Sequence, residues 1–162
     1  MSNKYQPKRN TNVVLFALEL GFFAGLIWGG VRWILYSLKF TKVVPGFLAE
    51  PFFKHDFLVK AEGHLTGYLF FIVFSILSAL LYALLFRRLK GPLPGLVYGV
   101  LWWSVLYLAC SRLFLLLPPF KLDWDSAVTD FCVFLLWGMF IGYTTAFEYT
   151  DERKRDRQMK MA

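Results

Sequence analysis

Four ionisable side chains lie inside otherwise apolar stretches of this 162-residue sequence: Glu19, Arg32, Arg112 and Asp130. Apolar surroundings cannot solvate a charge, so each group needs an opposite charge, hydrogen-bond partners or water. A guanidinium and a carboxylate can neutralise each other as an ion pair, or the arginine N–H groups can bind a phosphate or another anion. A carboxyl group in such a place can also relay protons.

Signatures of enzyme chemistry are missing. The sequence has no GxSxG, HExxH or CxxC motif, no Walker loop and no paired-aspartate phosphotransferase motif. Its imidazoles are His55 and His64, and Glu62-Gly63-His64 is the closest approach to an acid/base pair, which we interpret as a capping or interface feature. We therefore expect no catalysis, no cofactor and no metal site.

The elements that carry these residues are long apolar runs. Hydrophobic residues make up 57% of the chain and charged residues 18%, which is too apolar for a soluble fold of this size. Four runs reach the ~20 residues that cross a bilayer core, without the alternation typical of barrel strands. They cover residues 13–36, 65–86, 93–117 and 127–147. The predicted fold is an all-α membrane protein with four transmembrane helices in an antiparallel bundle.

Basic residues outside the predicted helices indicate the orientation. Eleven Lys and Arg lie in the tail 1–12, the turn 87–92 and the tail 150–162, against five in the loops on the other side. The positive-inside rule places both tails in the cytoplasm, with a transmembrane domain over 13–149 and the loop 37–64 outside. The net charge of +7 is better explained by a membrane surface than by nucleic acid, which we do not expect as a partner.

Three of the embedded charges are expected at one level. At 1.5 Å per helical residue, Arg32, Arg112 and Asp130 lie about 6–8 Å inside the outer boundary, with Glu62 and His64 at or just outside it. We favour a structural role, in which the arginines reach the outer headgroups and Arg112 pairs with Asp130. The alternatives are an outer pocket for a lipid headgroup or small anion, with Arg32 and Arg112 as donors, and a proton or ion pathway.

Glu19 is a separate case, because it is expected about 20 Å from Arg32 along the first helix and on another face. Tyr143, Thr144 or Thr145 of the fourth helix is expected at matching depth. We favour a buried, protonated Glu19 that is hydrogen-bonded between helices, with a proton-coupled or lipid-binding role as the alternative.

Glycines recur every four residues on three of the helices, which gives each helix a smooth stripe for close contact. The stripes are Gly21, Gly25 and Gly29, then Gly95 and Gly99, then Gly138 and Gly142. We expect them to pack within the bundle, with homodimerisation through the first helix as the alternative.

The loop 37–64 interleaves Phe and Leu with charges and two prolines. It is too apolar for a solvated loop and too broken to span, so we expect a segment in the membrane interface with one or two helical turns. We favour a cap on the bundle over a lid or a partner surface.

The layout as a whole resembles a known family. Its features are a polar N-tail with KRN, the first helix ELGFFAGLIWGGVRW, an outer loop containing PGF, the turn RRLKGPLPG and a charged C-tail. Together they resemble the YqhR family of conserved Bacillus membrane proteins over nearly the whole chain. The resemblance implies a four-helix protein of a Gram-positive cytoplasmic membrane. That family is uncharacterised, so the resemblance carries over no catalytic or binding residue.

Two classes of function remain. Small size, glycine packing surfaces and missing catalytic motifs favour a non-enzymatic scaffold or accessory subunit, with membrane lipids and a second copy or another membrane protein as partners. The outer polar cluster favours a binder or transporter of a lipid or small anion.

Overall fold

The computed structural model describes residues 12–86, 91–113 and 124–161, apart from the side chains of residues 55, 108–113 and 151–161. Every regular secondary-structure element within these residues is a helix. The helices are α1 (Val13–Ser37), α2 (His55–Leu58), α3 (Ala61–Phe86), α4 (Leu93–Leu113) and α5 (Trp124–Met161), and a short 3-10 helix covers Phe47–Ala49.

Helices α1 and α3 form a tight pair because glycine leaves no side chain between their backbones. A Cβ atom on Gly25 would lie 2.7 Å from the Cα of Ile72, closer than real side chains approach. Gly21 faces the backbone at Ile76 in the same way. Rising numbers on α1 meet falling numbers on α3, so the two helices run in opposite directions. The glycine stripe of α1 therefore packs against α3.

Helices α4 and α5 form a second tight pair by the same means. A Cβ atom on Gly138 would lie 2.5 Å from the carbonyl oxygen of Gly95 and 2.6 Å from the Cα of Gly99. Gly142 lies directly against the backbone of Gly95. Four glycines thus bring two backbones into contact, as small residues do between membrane helices.

The two pairs meet across a layer of aromatic rings. Trp137 of α5 is fully buried, and its ring stacks on those of Phe74 and Tyr98, with centroids 5.6 and 6.1 Å away. The Trp137 indole N–H donates to Oγ of Ser75 at 2.9 Å, and the Tyr98 hydroxyl donates to the carbonyl oxygen of Ser78 at 2.8 Å. Large rings therefore fill the space between the pairs, while α3 satisfies two of their polar atoms.

Helix α1 ends in a turn that sends the chain back over the bundle. The amide of Phe40 donates to the carbonyl of Leu35, and the amide of Lys39 donates to that of Tyr36. This is the hydrogen-bond pattern of a Schellman motif. Lys39 has a φ of 62°, in the left-handed region where glycine is the usual residue. The tight exit directs the loop across the helix ends.

The loop between α1 and α3 packs over this end of the bundle and is called the cap below. Its backbone rests on α3, since a Cβ atom on Gly67 would lie 2.7 Å from the carbonyl carbon of Pro45. The Lys42 amide donates to Oγ of Ser126 on α5 at 2.9 Å. The buried apolar residues of the cap are Val43, Val44, Phe47, Ala49 and Leu58.

Three of the described helical segments are long and apolar enough to cross a membrane: Val13–Ser37, Ala61–Phe86 and Trp124–Thr150. In α4 the side chains are described as far as Tyr107. The apolar stretch over these residues, Leu93–Tyr107, is shorter than the other three. The third predicted span continued to residue 117, and residues 114–117 lie outside the described part of the chain.

The other helix bounds are wider than the predicted spans. Helix α3 begins at residue 61 rather than 65, and α5 begins at 124 rather than 127. Helix α5 also continues to Met161, through the predicted C-tail. Polar residues at a membrane boundary do not stop a helix, so hydropathy alone places helix ends too far inward.

The glycine contacts predict opposite effects for two Gly→Ala changes. In Gly138→Ala the new methyl group meets the backbone of α4, so we expect a loss of about 1–3 kcal/mol in the free energy of unfolding. Gly30→Ala is the matched control, because a Cβ atom there meets nothing within 4 Å, and the better helix propensity of alanine should leave stability equal or higher. Thermal unfolding in detergent, followed by circular dichroism, measures both. Equal midpoints would contradict the glycine contact.

Candidate functional site

Arg32 and Asp130 form an ion pair that joins α1 to α5 inside the bundle. Nη2 of Arg32 lies 3.3 Å from Oδ2 of Asp130, and the two side chains are only 3% and 1% exposed. The hydroxyl of Tyr107 on α4 donates to the same Oδ2 at 2.6 Å. Helices α1, α4 and α5 therefore meet at one carboxylate oxygen.

Aromatic rings surround the Arg32 guanidinium. Its central carbon, Cζ, lies 4.2 Å from the ring centroid of Phe47, which belongs to the loop between α1 and α3. The rings of Phe71 on α3 and Phe134 on α5 lie at 5.9 and 5.8 Å. The face of an aromatic ring attracts a cation, most strongly away from water. The cap thus closes over the ion pair and contributes to its stabilisation.

The position of Arg32 follows from the glycine stripe. Arg32 continues the face of Gly21, Gly25 and Gly29 by about one further turn, so the contact of these glycines with α3 also turns Arg32 into the bundle. Without that contact the side chain would be free to turn away from the bundle. Snorkelling of Arg32, which we expected from sequence, is wrong for this reason.

Both members of the pair have further polar atoms that make no hydrogen bond to the described residues. Within the described residues, Nε and Nη1 of Arg32 and Oδ1 of Asp130 are buried without a hydrogen-bond partner. One turn earlier on α1, the indole N–H of Trp28 is also buried without an acceptor in that part of the chain. A buried donor left unpaired costs about 1–3 kcal/mol. These N–H groups are the atoms that a bound anion would engage.

Arg112, the partner that we predicted for Asp130, lies in α4, and its side chain is outside the described part of the structure. The predicted Arg112–Asp130 pair therefore stays a prediction. The partners that the structure places on Asp130 are Arg32 and Tyr107.

Glu62 and His64 do not join the ion pair. Glu62 is exposed at the start of α3. His64 is half-buried against α1, with ring centroids 5.1 Å from Tyr36 and 6.3 Å from Trp33. The imidazole therefore packs at the rim of the bundle rather than at the carboxylate. No group of three or more His, Cys, Asp or Glu side chains within the described residues is placed to hold a metal ion.

The prediction that Glu19 is buried between helices is wrong. Glu19 is exposed on α1 and has no hydrogen-bond or ionic partner among the residues that the structure describes. The hydroxyls of Thr144 and Thr145 donate instead to carbonyls one turn back in their own helix, both at 2.8 Å. Because the glycine face of α1 lies against α3, the face that carries Glu19, roughly 120° around the helix from Gly25, points away from the bundle.

Two site residues were missed from sequence. Tyr107 could have been found from the sequence, because a tyrosine inside an apolar helix needs a hydrogen-bond partner for its hydroxyl group. Phe47 carried no signal, because only the folded loop brings its ring over Arg32.

Comparison with known proteins supplies the family. The family described as "Conserved membrane protein YqhR" matches residues 2–160. This chain belongs to the YqhR family. A YqhR relative, "Uncharacterized protein YqhR" of Bacillus subtilis (strain 168), is 32% identical over 135 residues, which cover 81% of this chain and 74% of the relative. No solved structure matches the chain. The resemblance found in the sequence is confirmed, and the family is one of membrane proteins.

For this YqhR-family chain, the buried pair predicts a non-additive double-mutant cycle. Arg32→Met or Asp130→Leu alone leaves an uncompensated buried charge, so each should cost about 3–5 kcal/mol in the free energy of unfolding. The double variant removes both charges and should recover most of that loss. Unfolding in detergent measures the cycle, and Lys54→Met, which removes an exposed charge, is the control. Additive losses in the double variant would mean that the two groups do not depend on each other.

Proposed function

We propose that the protein is a non-enzymatic scaffold or accessory subunit of the bacterial cytoplasmic membrane, with four spans and both termini in the cytoplasm. The observation that carries the proposal is the Arg32–Asp130 pair. The two most buried charges of the described bundle neutralise each other beneath a cap, so they serve cohesion between helices rather than an open polar surface.

Helix length supports the fourth span. Helix α4 has 21 residues, Leu93–Leu113, which at 1.5 Å per residue is about 31 Å long. A bilayer core is ~30 Å thick, so α4 is long enough to cross it beside α5, to which its glycines bind it. The excess of Lys and Arg on one side supports the cytoplasmic placement of both termini.

Topology reporters test this arrangement. Alkaline phosphatase, which is active only outside the cytoplasm, should be active when fused after Glu50 in the outer loop and inactive when fused after Ala162. Green fluorescent protein at the same two sites should give the reverse pattern. Because three spans would carry the C-terminus outside, an active phosphatase after Ala162 overturns the four-span proposal.

A second function, binding of a lipid phosphate or another small anion, is favoured by one observation. Arg32 has two buried N–H positions, Nε and Nη1, without an acceptor among the described residues, and the Trp28 N–H lies one turn away. Arginine and indole donors suit a phosphate or carboxylate group. Asp130 argues against anion binding, because its negative charge already neutralises the Arg32 guanidinium.

Native mass spectrometry after extraction in mild detergent separates the two functions. A scaffold should retain a protein partner or a stoichiometric oligomer. An anion binder should retain a lipid or anion, and the Arg32→Met, Asp130→Leu double variant should lose it while keeping its fold. A bare monomer with neither companion contradicts both functions.

A further inference from the structure

The Arg32–Asp130 pair presents unpaired donors and an unpaired acceptor at one place in the bundle. Nε and Nη1 of Arg32 and Oδ1 of Asp130 are buried, and no described residue offers them a hydrogen bond. Nε and Nη1 share the carbon Cζ with Nη2, and Oδ1 shares Cγ with Oδ2, so all of them lie beside the 3.3 Å contact between Nη2 and Oδ2. Buried polar groups in proteins are nearly always hydrogen-bonded, so these three atoms point to a bound molecule.

A molecule at this site has to accept and donate hydrogen bonds at the same time. The Arg32 N–H groups need an acceptor, because a guanidinium in a protein keeps all its protons. Oδ1 of Asp130 needs a donor, because the carboxylate already accepts from Arg32 and from the Tyr107 hydroxyl through its other oxygen. An ionised phosphate or a halide offers acceptors alone and would place a negative charge beside Asp130. The site therefore favours a neutral molecule that carries a hydroxyl group.

Burial limits this molecule to a small one. The side chains of Arg32 and Asp130 are only 3% and 1% exposed. The ring of Phe47 lies 4.2 Å from Cζ of Arg32, and the rings of Phe71 and Phe134 lie at 5.9 and 5.8 Å. A lipid hydroxyl would have to bring the rest of the lipid past these rings. Water is the smallest molecule that both accepts and donates, and buried waters bind polar groups of this kind.

We propose that a water molecule is bound inside the bundle at the Arg32–Asp130 pair. It accepts a hydrogen bond from Nε or Nη1 of Arg32 and donates one to Oδ1 of Asp130. The water solvates both charges within the bundle, so the ion pair is a hydrated one. The inference goes beyond the scaffold function and does not depend on it, and it competes with anion binding at the same atoms.

Solid-state NMR of the full chain in phospholipid vesicles tests the water. After uniform labelling with nitrogen-15, magnetisation that starts on water protons should reach the Nε–H group of Arg32 at short mixing times. The indole N–H of Trp137 is the matched control, because it is equally buried but donates to Oγ of Ser75 at 2.9 Å. Trp137 should receive no magnetisation from water at these times.

Two variants assign the Arg32 signal. Arg32→Lys removes the Nε–H signal and keeps a positive charge beside Asp130, so the fold should be retained. Phe47→Leu removes the ring 4.2 Å from Cζ and should shift the same signal, because an aromatic ring changes the local magnetic field. Either variant identifies the signal if the other fails to fold.

Coupling to phosphorus-31 distinguishes water from a phosphate. A phosphate group that accepts a hydrogen bond from Arg32 brings its phosphorus close to Nε, and recoupling the two nuclei then weakens the nitrogen signal. With water in the site, the Arg32 signal should keep its intensity when phosphorus is recoupled.

Transfer from water to Arg32 without a phosphorus effect supports the bound water. No transfer to Arg32, or equal transfer to Arg32 and Trp137, overturns it and leaves the scaffold function standing. A phosphorus effect at Arg32 also overturns the bound water, and it favours the anion-binding function instead.

Discussion

Backbone contact at Gly21 and Gly25 decides how every other group on α1 is oriented. A helix presents each residue in a direction set by its neighbours, so seating two glycines against α3 leaves no rotational freedom for the rest. The contact turns Arg32 toward the interior and Glu19 toward the surroundings of the bundle. Two residues of the same helix thereby receive opposite environments from one steric constraint.

The bundle is held by different physics at its two kinds of interface. Within each pair, glycines bring the backbones together. Lipid tails are as apolar as the side chains, so the hydrophobic effect does not drive this contact, and dispersion between closely packed atoms stabilises it instead. Between the pairs, the rings around Trp137 keep the backbones apart, and hydrogen bonds such as that from Trp137 to Ser75 connect them. The ion pair adds one further link of this second kind, from α1 to α5.

A buried ion pair contributes little net stability, because desolvation offsets the attraction between its charges. Its effect is on which helices meet: once Arg32 is inside, the bundle has to bring Asp130 to it or lose stability. The ring of Phe47, 4.2 Å from Cζ of Arg32, extends the same dependence to the loop between α1 and α3. Cap, ion pair and helix pairing are therefore coupled.

Long apolar runs and glycine spacing were sufficient to predict helices, their approximate bounds and the surfaces that pack closely, since these depend on local sequence and on the thickness of a bilayer. That Arg32 and Asp130 lie at one level of the bundle was also predictable, because rise per residue is constant in a helix. The partners of these residues were not predictable, because the position of a residue along a helix does not say which way its side chain points. Arg32 was expected to snorkel but is buried, and Glu19 was expected to be buried but is exposed. Only the tertiary structure decided these orientations, because they depend on which face of α1 the backbone of α3 can approach.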